Sequence, residues 1–466
     1  MISRRVFMGA AAAGAAARGA DEWTPLFDGR SLAGWKANEH PESWKVVNGM
    51  LAASGQRSHL FYTAREFGNF ELKAEVLTRP RANSGIFFHA AWAESGWPTA
   101  KGFEVQVNNT HIGEGSYREN KKTGSLYGIR NVYKQFVPDG QWFEMHITAR
   151  GPRVEIRVNG TLLVDWIEPE NWTGNRLGRG MFALQGHDPN SQVFYRNIRV
   201  RELPDAAPPV ARPVADDTYR EIARLGAANY PMLDCHVHLK GGWTLEQALE
   251  DSRRTGIQYG IAVNCGLGFP IHDDAGARAF LDSMRGQPVF VALQGEGREW
   301  PRLVSKETIA RFDYAFTDAM TWTGDSGKRM RLWIPEEVGE IPDPQRFMET
   351  LVDRAVGILS REPIDIYVNP TFLPDVIGAQ YDKLWTTERM DRVIAAAVKN
   401  GIAIEINNRY KLPSPSFIRR AKAAGAKFTF GTNNTDRDLG RMEYGIAMVS
   451  ECGLEWEDFW VPGNRK

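Results

Sequence analysis

Between Pro204 and Pro213 the chain carries four prolines in ten residues. Proline extends neither a helix nor a central strand, because its ring fixes φ and removes the amide donor. Residues 204–216 therefore read as a linker, and the hydrophobic pattern changes character across it. From Glu22 to about Leu203 the chain runs in short alternating segments rich in aromatic and β-branched residues, broken by Gly, Asn, Asp and Pro. Examples are Phe70 to Val76, Gly102 to Val107, Phe143 to Ala149 and Val154 to Val158, the last turning through Asn159-Gly160, a hairpin signal. This half is expected to be an all-β sandwich. Beyond the linker, apolar runs of buried-strand character alternate with segments of helical period, the pattern of a parallel α/β barrel. Seven strands are expected there, at Met232 to Leu239, Tyr259 to Cys265, Val289 to Leu293, Tyr314 to Thr317, Ile364 to Val368, Ile402 to Ile406 and Phe428 to Phe430. Helices are expected at Thr244 to Thr255, Pro344 to Ser360, Thr387 to Asn400 and Ser414 to Ala424.

The 466 residues, 42% of them hydrophobic, suffice for two cores. Lys+Arg and Asp+Glu are equal at 57 each, so the excess positive charge on which nucleic-acid binding draws is absent and a neutral small molecule is the expected partner. Met1 to Ala20 carries Arg4, Arg5 and Arg18, no acid, and a run of Ala and Gly, the composition of a signal peptide. Its Ser3-Arg4-Arg5-Val6-Phe7-Met8 resembles the twin-arginine export signal, which implies a periplasmic or secreted protein. No other stretch approaches the ~20 apolar residues of a membrane span. Three cysteines, Cys235, Cys265 and Cys452, exclude a disulfide framework; Cys235 and Cys265 are either a pair on neighbouring strands or buried thiols.

Residues two apart in a strand share a face, so Glu104, Gln106 and Asn108 stand on one side and Phe103, Val105 and Val107 on the other. A carboxylate beside two amides suits a polyhydroxylated ligand, and the acid is placed to move a proton or bind a metal; an ordinary solvent face has the same spacing. Trp92, Trp97, Tyr127, Trp142 and Trp172 are candidate platforms for sugar rings or members of the core.

Several segments together resemble the 3-keto-disaccharide hydrolase family, a concanavalin-like jelly-roll: Leu26 to Trp35, Asn83-Ser84-Gly85-Ile86-Phe87-Phe88, the Glu104 strand, Thr123 to Gly128, Gly180 to His187 and Phe194 to Ile198. The resemblance implies hydrolysis or elimination at the glycosidic bond of a sugar whose C3 hydroxyl has been oxidised to a ketone, which acidifies the C2 proton. It implies Glu104, His187 and Arg196 as catalytic residues, with Glu104 as base or metal ligand, His187 as acid or base and Arg196 near the developing charge. Gln106, Asn108, Asn83, Tyr127 and Gln185 are the implied substrate binders. Where the family often has arginine after Ile-Phe-Phe, this chain has His89.

In the second half, Asp234-Cys235-His236-Val237-His238 sets two imidazoles and a carboxylate on one face at the end of an apolar strand, an arrangement suited to a divalent metal or to hydrogen bonds at a barrel mouth. The order of motifs from Asp234 to about Leu454 resembles the PHP metallohydrolases, with their seven-stranded barrel. That resemblance implies His236, His238, Glu296 and Asp318 as ligands, and Glu405-Ile406-Asn407 as a later strand. Asn433 and Thr435 stand where the family carries charged or imidazole ligands, Asp318 where a histidine is common, and Asn369 is a poor ligand. One Zn or Mn is therefore expected at most, and phosphatase chemistry is not. The expectation is an exported glycoside-cleaving enzyme with its chemistry in the jelly-roll. Two alternatives are a metal-dependent hydrolase in the barrel with the jelly-roll as a carbohydrate-binding module, and a non-catalytic sugar-binding protein.

Overall fold

Every second residue along Phe70–Thr78 is buried and those between are half-buried, as a strand with one face on a core requires. The computed structural model describes residues 22–98, 101–205, 210–323 and 328–463; Met1 to Ala20, where a signal peptide is expected, lies outside these. Phe70–Thr78 sits inside an eight-stranded sheet ordered Thr161–Ile167, Arg153–Val158, Phe143–Arg150, Phe70–Thr78, Val193–Glu202, Met50–Ala53 and Trp44–Val47, with Thr24–Pro25 paired to Val193–Glu202. Facing it is a five-stranded sheet ordered Trp35–Ala37, Ser58–Tyr62, Met181–Gly186, Asn83–Ala90 and Phe103–Asn108. The pairings in both are antiparallel, and Leu72, Ile86, Phe88, Val105, Ile147 and Trp166 are among the side chains that fill the space between the sheets. The expected hairpin forms at Asn159-Gly160, where both residues adopt positive φ (49° and 82°) as a two-residue turn between right-twisted strands demands.

The second half closes a barrel of seven parallel strands: Leu233–Val237, Gln258–Cys265, Phe290–Gly295, Tyr314–Thr317, Ile366–Tyr367, Ala403–Asn407 and Phe428–Gly431. Each falls within a residue or two of an expected segment, because strands buried on both faces read as uninterrupted apolar runs. Helices occupy the connections, among them Leu245–Thr255, Pro344–Arg361, Thr387–Asn400 and Pro415–Ala423. Thr244 caps the first through a capping box with Gln247, and Ser414 caps the last by accepting from the Phe417 amide. Cys235, Cys265 and Cys452 are free and buried. Among the described residues no helix is long and apolar enough to cross a membrane.

The halves meet through residues 109–142, the long connection from the Glu104 strand to Phe143–Arg150. Lys134 Nζ donates to Val289 O and to Asp313 Oδ2, both at 2.7 Å. The Tyr133 amide donates to Gln258 Oε1, and the Met232 amide donates to Tyr133 Oη. Arg130 Nη2 donates to Arg254 O. Val289, Asp313 and Met232 immediately precede barrel strands and Gln258 opens one, so the connection docks on the amino-terminal end of the barrel. Of the residues expected to hold a metal, His236 is the penultimate residue of its strand and His238, Glu296 and Asp318 immediately follow theirs, so all four lie at the barrel's carboxy-terminal end.

Candidate active site

The strand register assembles one polar track across the five-stranded sheet. Phe87 pairs with Glu104, Gly85 with Gln106 and Asn83 with Asn108; on the other side Ala183 pairs with Phe87 and Phe61, and Gln185 with His59. Glu104, Gln106, Gln185 and His59 therefore share the face turned away from the sandwich core. Gly85 makes the track continuous. A Cβ built there would lie 2.2 Å from Glu104 Oε1, so the carboxyl group leans into the space that glycine leaves, and Gln185 Nε2 donates to Glu104 Oε1 at 3.0 Å. Gln185 is braced from behind, where Ser84 Oγ donates to its carbonyl and Tyr195 Oη lies 2.6 Å from Ser84 Oγ.

Glu104 lines a cavity of about 830 Å³ whose wall includes Phe87, Tyr127 and Trp172, and, from the barrel half, Arg220 and Arg224 of the helix Asp217–Ala227. Burial pushes the Glu104 carboxyl up to about 8, and the Glu119 charge adds to this; the Gln185 hydrogen bond and the Lys121 charge offset part of it. Glu119 accepts from Tyr117 Oη (2.8 Å), Tyr127 Oη (2.9 Å) and the Lys121 amide (2.8 Å). Burial likewise pushes the Lys121 ammonium down, with Glu119 opposing; its Nζ lies 4.6 Å from the centre of the Tyr127 ring.

Further along the track His187 Nδ1–H donates to Asp188 Oδ2 at 2.7 Å. Burial raises the Asp188 carboxyl, but hydrogen bonds from Ser191, His187 and the Asn190 amide outweigh it and hold the group below its usual value. Trp97, 39% exposed, stands with its ring centre 5.4 Å from that of His187 and 5.3 Å from that of His59. Both ring nitrogens of His59, together with Gln185 Oε1 and Trp172 Nε1, are buried with no hydrogen-bond partner among the described residues. Burial pushes the His59 imidazole down to about 4, so at neutral pH it offers one donor and one acceptor. Such a row needs a polar ligand or water to satisfy it.

Residues 22–201 match the family model of the 3-keto-alpha-glucoside-1,2-lyase-like domain. The match spans the jelly-roll half and supports a carbohydrate-related domain there. Among curated proteins no match to the chain is found. Two provisionally named glycosyl hydrolases from Parabacteroides distasonis are similar to it: one at 22% identity over 39% of this chain and 94% of its own, TM-score 0.36, the other at 26% over 39% and 100%, TM-score 0.33. A carbohydrate-binding module from Bacillus subtilis is similar at 14% identity over 36% of this chain and 96% of its own, TM-score 0.27.

Among the residues expected in this site, Glu104, Gln106, Gln185, Asn83, Tyr127 and His187 are brought to one face or its rim. Gln106 Nε2 donates to Asn83 Oδ1 (3.2 Å). Asn108 is spent on the chain itself: its Nδ2 donates to Lys121 O and its Oδ1 accepts from the His111 amide, so it anchors the docking connection rather than a ligand. Arg196 is a correction. Tyr195 beside it points into the core, so Arg196 emerges on the outer face of the opposite sheet, where it pairs with Glu75 (2.6 Å) and covers the Trp142 ring (4.0 Å). His89, at φ 51°, bridges backbone, donating from Nε2 to Gly68 O and accepting at Nδ1 from the Gly178 amide; burial lowers its imidazole and keeps it neutral. The residues missed in the sequence are His59, Tyr117, Glu119 and Lys121, the last three in an aperiodic stretch with no pattern to mark them.

At the barrel mouth the expected metal ligands engage other partners. His236 Nδ1–H donates to Glu405 Oε1 (2.7 Å), and its Nε2 lies 3.3 Å from Gln294 Oε1. His238 Nδ1–H donates to Ala262 O, leaving a buried Nε2 with no partner among the described residues. Glu296 accepts from Asn264 Nδ2 and Thr321 Oγ1; Asp318 accepts from Asn369 Nδ2 and the Met320 amide. Asp234 is held by Thr432 and by the His236 amide. Among the described residues no three or more His, Cys, Asp or Glu side chains converge as a metal site. His238 Nε2 is an unpartnered imidazole nitrogen there, while the Glu296 and Asp318 carboxylates are turned to amide and hydroxyl donors, so the four expected ligands do not form a converging set of the kind a catalytic metal needs.

Proposed function

We propose that the protein cleaves a 3-keto glycoside in its jelly-roll half, with Glu104 as the proton acceptor. The observation that carries this reading is a carboxyl group buried in an 830 Å³ cavity, oriented by Gln185 and pushed up to about 8, in a stretch matching a 3-keto-glucoside lyase-like domain. A base near the working pH is matched to abstracting a carbon acid's proton. The C2–H bond, acidified by the adjacent ketone, gives its proton to the Glu104 carboxylate; its electrons form the C1–C2 double bond as the bond from C1 to the leaving oxygen breaks. His187, oriented by Asp188, protonates that oxygen; the proton on Glu104 is then released to solvent, or returns to C2 as water gives its hydroxyl to C1 and its remaining proton to His187. Unpartnered Gln185 Oε1 and His59 are suited to sugar hydroxyls, and the exposed Trp97 to a ring face.

On the same reading the barrel is a PHP-like scaffold in which amides have taken the place of metal-binding charges: Asn407 Nδ2 and Asn433 Nδ2 both donate to Asn369 Oδ1. The twin-arginine-like leader would place the reaction in the periplasm. Turnover of a 3-keto glycoside against pH tests the assignment. The rate is expected to rise about tenfold per pH unit below about pH 8 and then level, and Glu104→Gln to lose activity by at least about 1,000-fold. Turnover retained in Glu104→Gln, or a rate that falls through this range, refutes it.

A further inference from the structure

We propose that Asn229, a residue of the barrel half, is a positioning residue for the jelly-roll site: it holds the Lys121 ammonium beside Glu104, so the site is complete only with the second domain docked. The inference rests on reading Glu104 as the base. Lys121 is 1% exposed, and its Nζ donates to Asn229 Oδ1 at 2.9 Å; the Glu119 carboxylate is farther, at 3.7 Å. Asn229 is itself 5% exposed and fixed at φ 70° just after the helix Asp217–Ala227, and its Nδ2 donates back to Arg118 O. One amide from the barrel thus clamps residues 118–121 at two points. Asparagine is suited to this place, tolerating the left-handed region while presenting a donor and an acceptor.

The clamp reaches the reacting end through short links. Lys121 lies over the Tyr127 ring, the Tyr127 and Tyr117 hydroxyls both donate to Glu119, and Tyr127 shares the cavity wall with Glu104. The helix Asp217–Ala227, which leads into Asn229, supplies the opposite wall, where Arg220 and Arg224 are paired with Asp217 and Glu221. The charged and titratable groups around Glu104 are therefore Glu119 and Lys121, the hydroxyls of Tyr117, Tyr127 and Tyr195, and these paired helix charges across the cavity. Lys121 is the cation of the inner set, and its charge favours the ionised base. Without the amide, the buried ammonium keeps the longer ion pair and the Tyr127 ring but no hydrogen-bond acceptor at close range, and either moves or loses its proton. Both weaken its pull on Glu104.

The experiment compares the full-length protein with Asn229→Gly, Lys121→Met and the double variant; glycine keeps the left-handed backbone without strain. Two readouts are taken: the titration of Glu104 in the ligand-free protein, by carbon NMR of carboxyl-labelled glutamate with Glu104→Gln as the assignment blank, and the pH profile of 3-keto-glycoside turnover. Asn229→Gly is expected to raise the Glu104 titration and the rising limb of kcat together by about half to one pH unit, with KM and the high-pH plateau within about twofold. The double variant is expected to shift no further than Lys121→Met alone, because Asn229 acts through Lys121. An unmoved Glu104 titration in Asn229→Gly, or shifts that add in the double variant, overturns the proposal. A titration that shifts in a protein that does not turn over 3-keto glycosides upholds the clamp and rejects Glu104 as that reaction's base.

Discussion

Replacing Glu104 by glutamine is expected to stabilise the protein, and by more as the pH rises. The folded chain holds the Glu104 proton up to about 8 while an unfolded glutamate releases it near 4.5. Between these values the native state binds more protons than the unfolded state, so stability falls with rising pH; it is fully present below 4.5 and its loss is complete above about 8. At about 1.4 kcal/mol per unit, the buried acid costs about 3 kcal/mol at pH 7 and about 5 kcal/mol above pH 8. Glutamine has no charge to desolvate, and its carbonyl still accepts from Gln185, so the two proteins should match within about 1 kcal/mol near pH 4.5. The assay is urea unfolding followed by tryptophan fluorescence, wild type against Glu104→Gln, at intervals from about pH 4.5 to about pH 9. A stability difference that does not widen with pH refutes the argument that burial holds this carboxyl protonated, and with it the assignment of the rising limb of turnover to Glu104.

The remaining predictions concern the neighbours of that group. Gly85→Ala drives a methyl into Glu104 Oε1, 2.2 Å away, and is expected to cost about 100-fold in kcat through misplacement of the base with the fold intact by circular dichroism; a loss under about threefold would mean that the carboxyl has room to move. Arg196→Ala, on the far sheet, should leave turnover within about twofold while lowering stability by about 1 kcal/mol through the lost Glu75 pair and Trp142 contact; a large fall in kcat alone would return Arg196 to the site.

Much of the architecture was legible because it depends on local periodicity. Two-residue alternation along 102–108 placed Glu104, Gln106 and Asn108 on one face, and uninterrupted apolar runs marked the barrel strands; Tyr314–Thr317 and the helix Thr387–Asn400 coincide with their expected limits. Alternation cannot say which sheet a strand joins, and this is why Arg196 was misplaced: its own strand parity is clear, but only the sheet order puts that face on the outside. Nor does a side chain's identity reveal whether its hydrogen bonds are already taken, which decided Asn108 and the four barrel residues expected to hold a metal.

The sequence by itself determined the two kinds of secondary structure and the polar face carrying Glu104, since each is written in spacings of two to four residues. Tertiary structure decided everything that joins distant segments: Gly85 making room for Glu104, the Gln185 bond across two strands, and the Lys121–Asn229 contact between residues 108 positions apart. The physical reason is that burial and charge act over a few ångströms of space. The acidity of Glu104 is therefore set by side chains that packing brings around it, and not by the residues beside it in the chain.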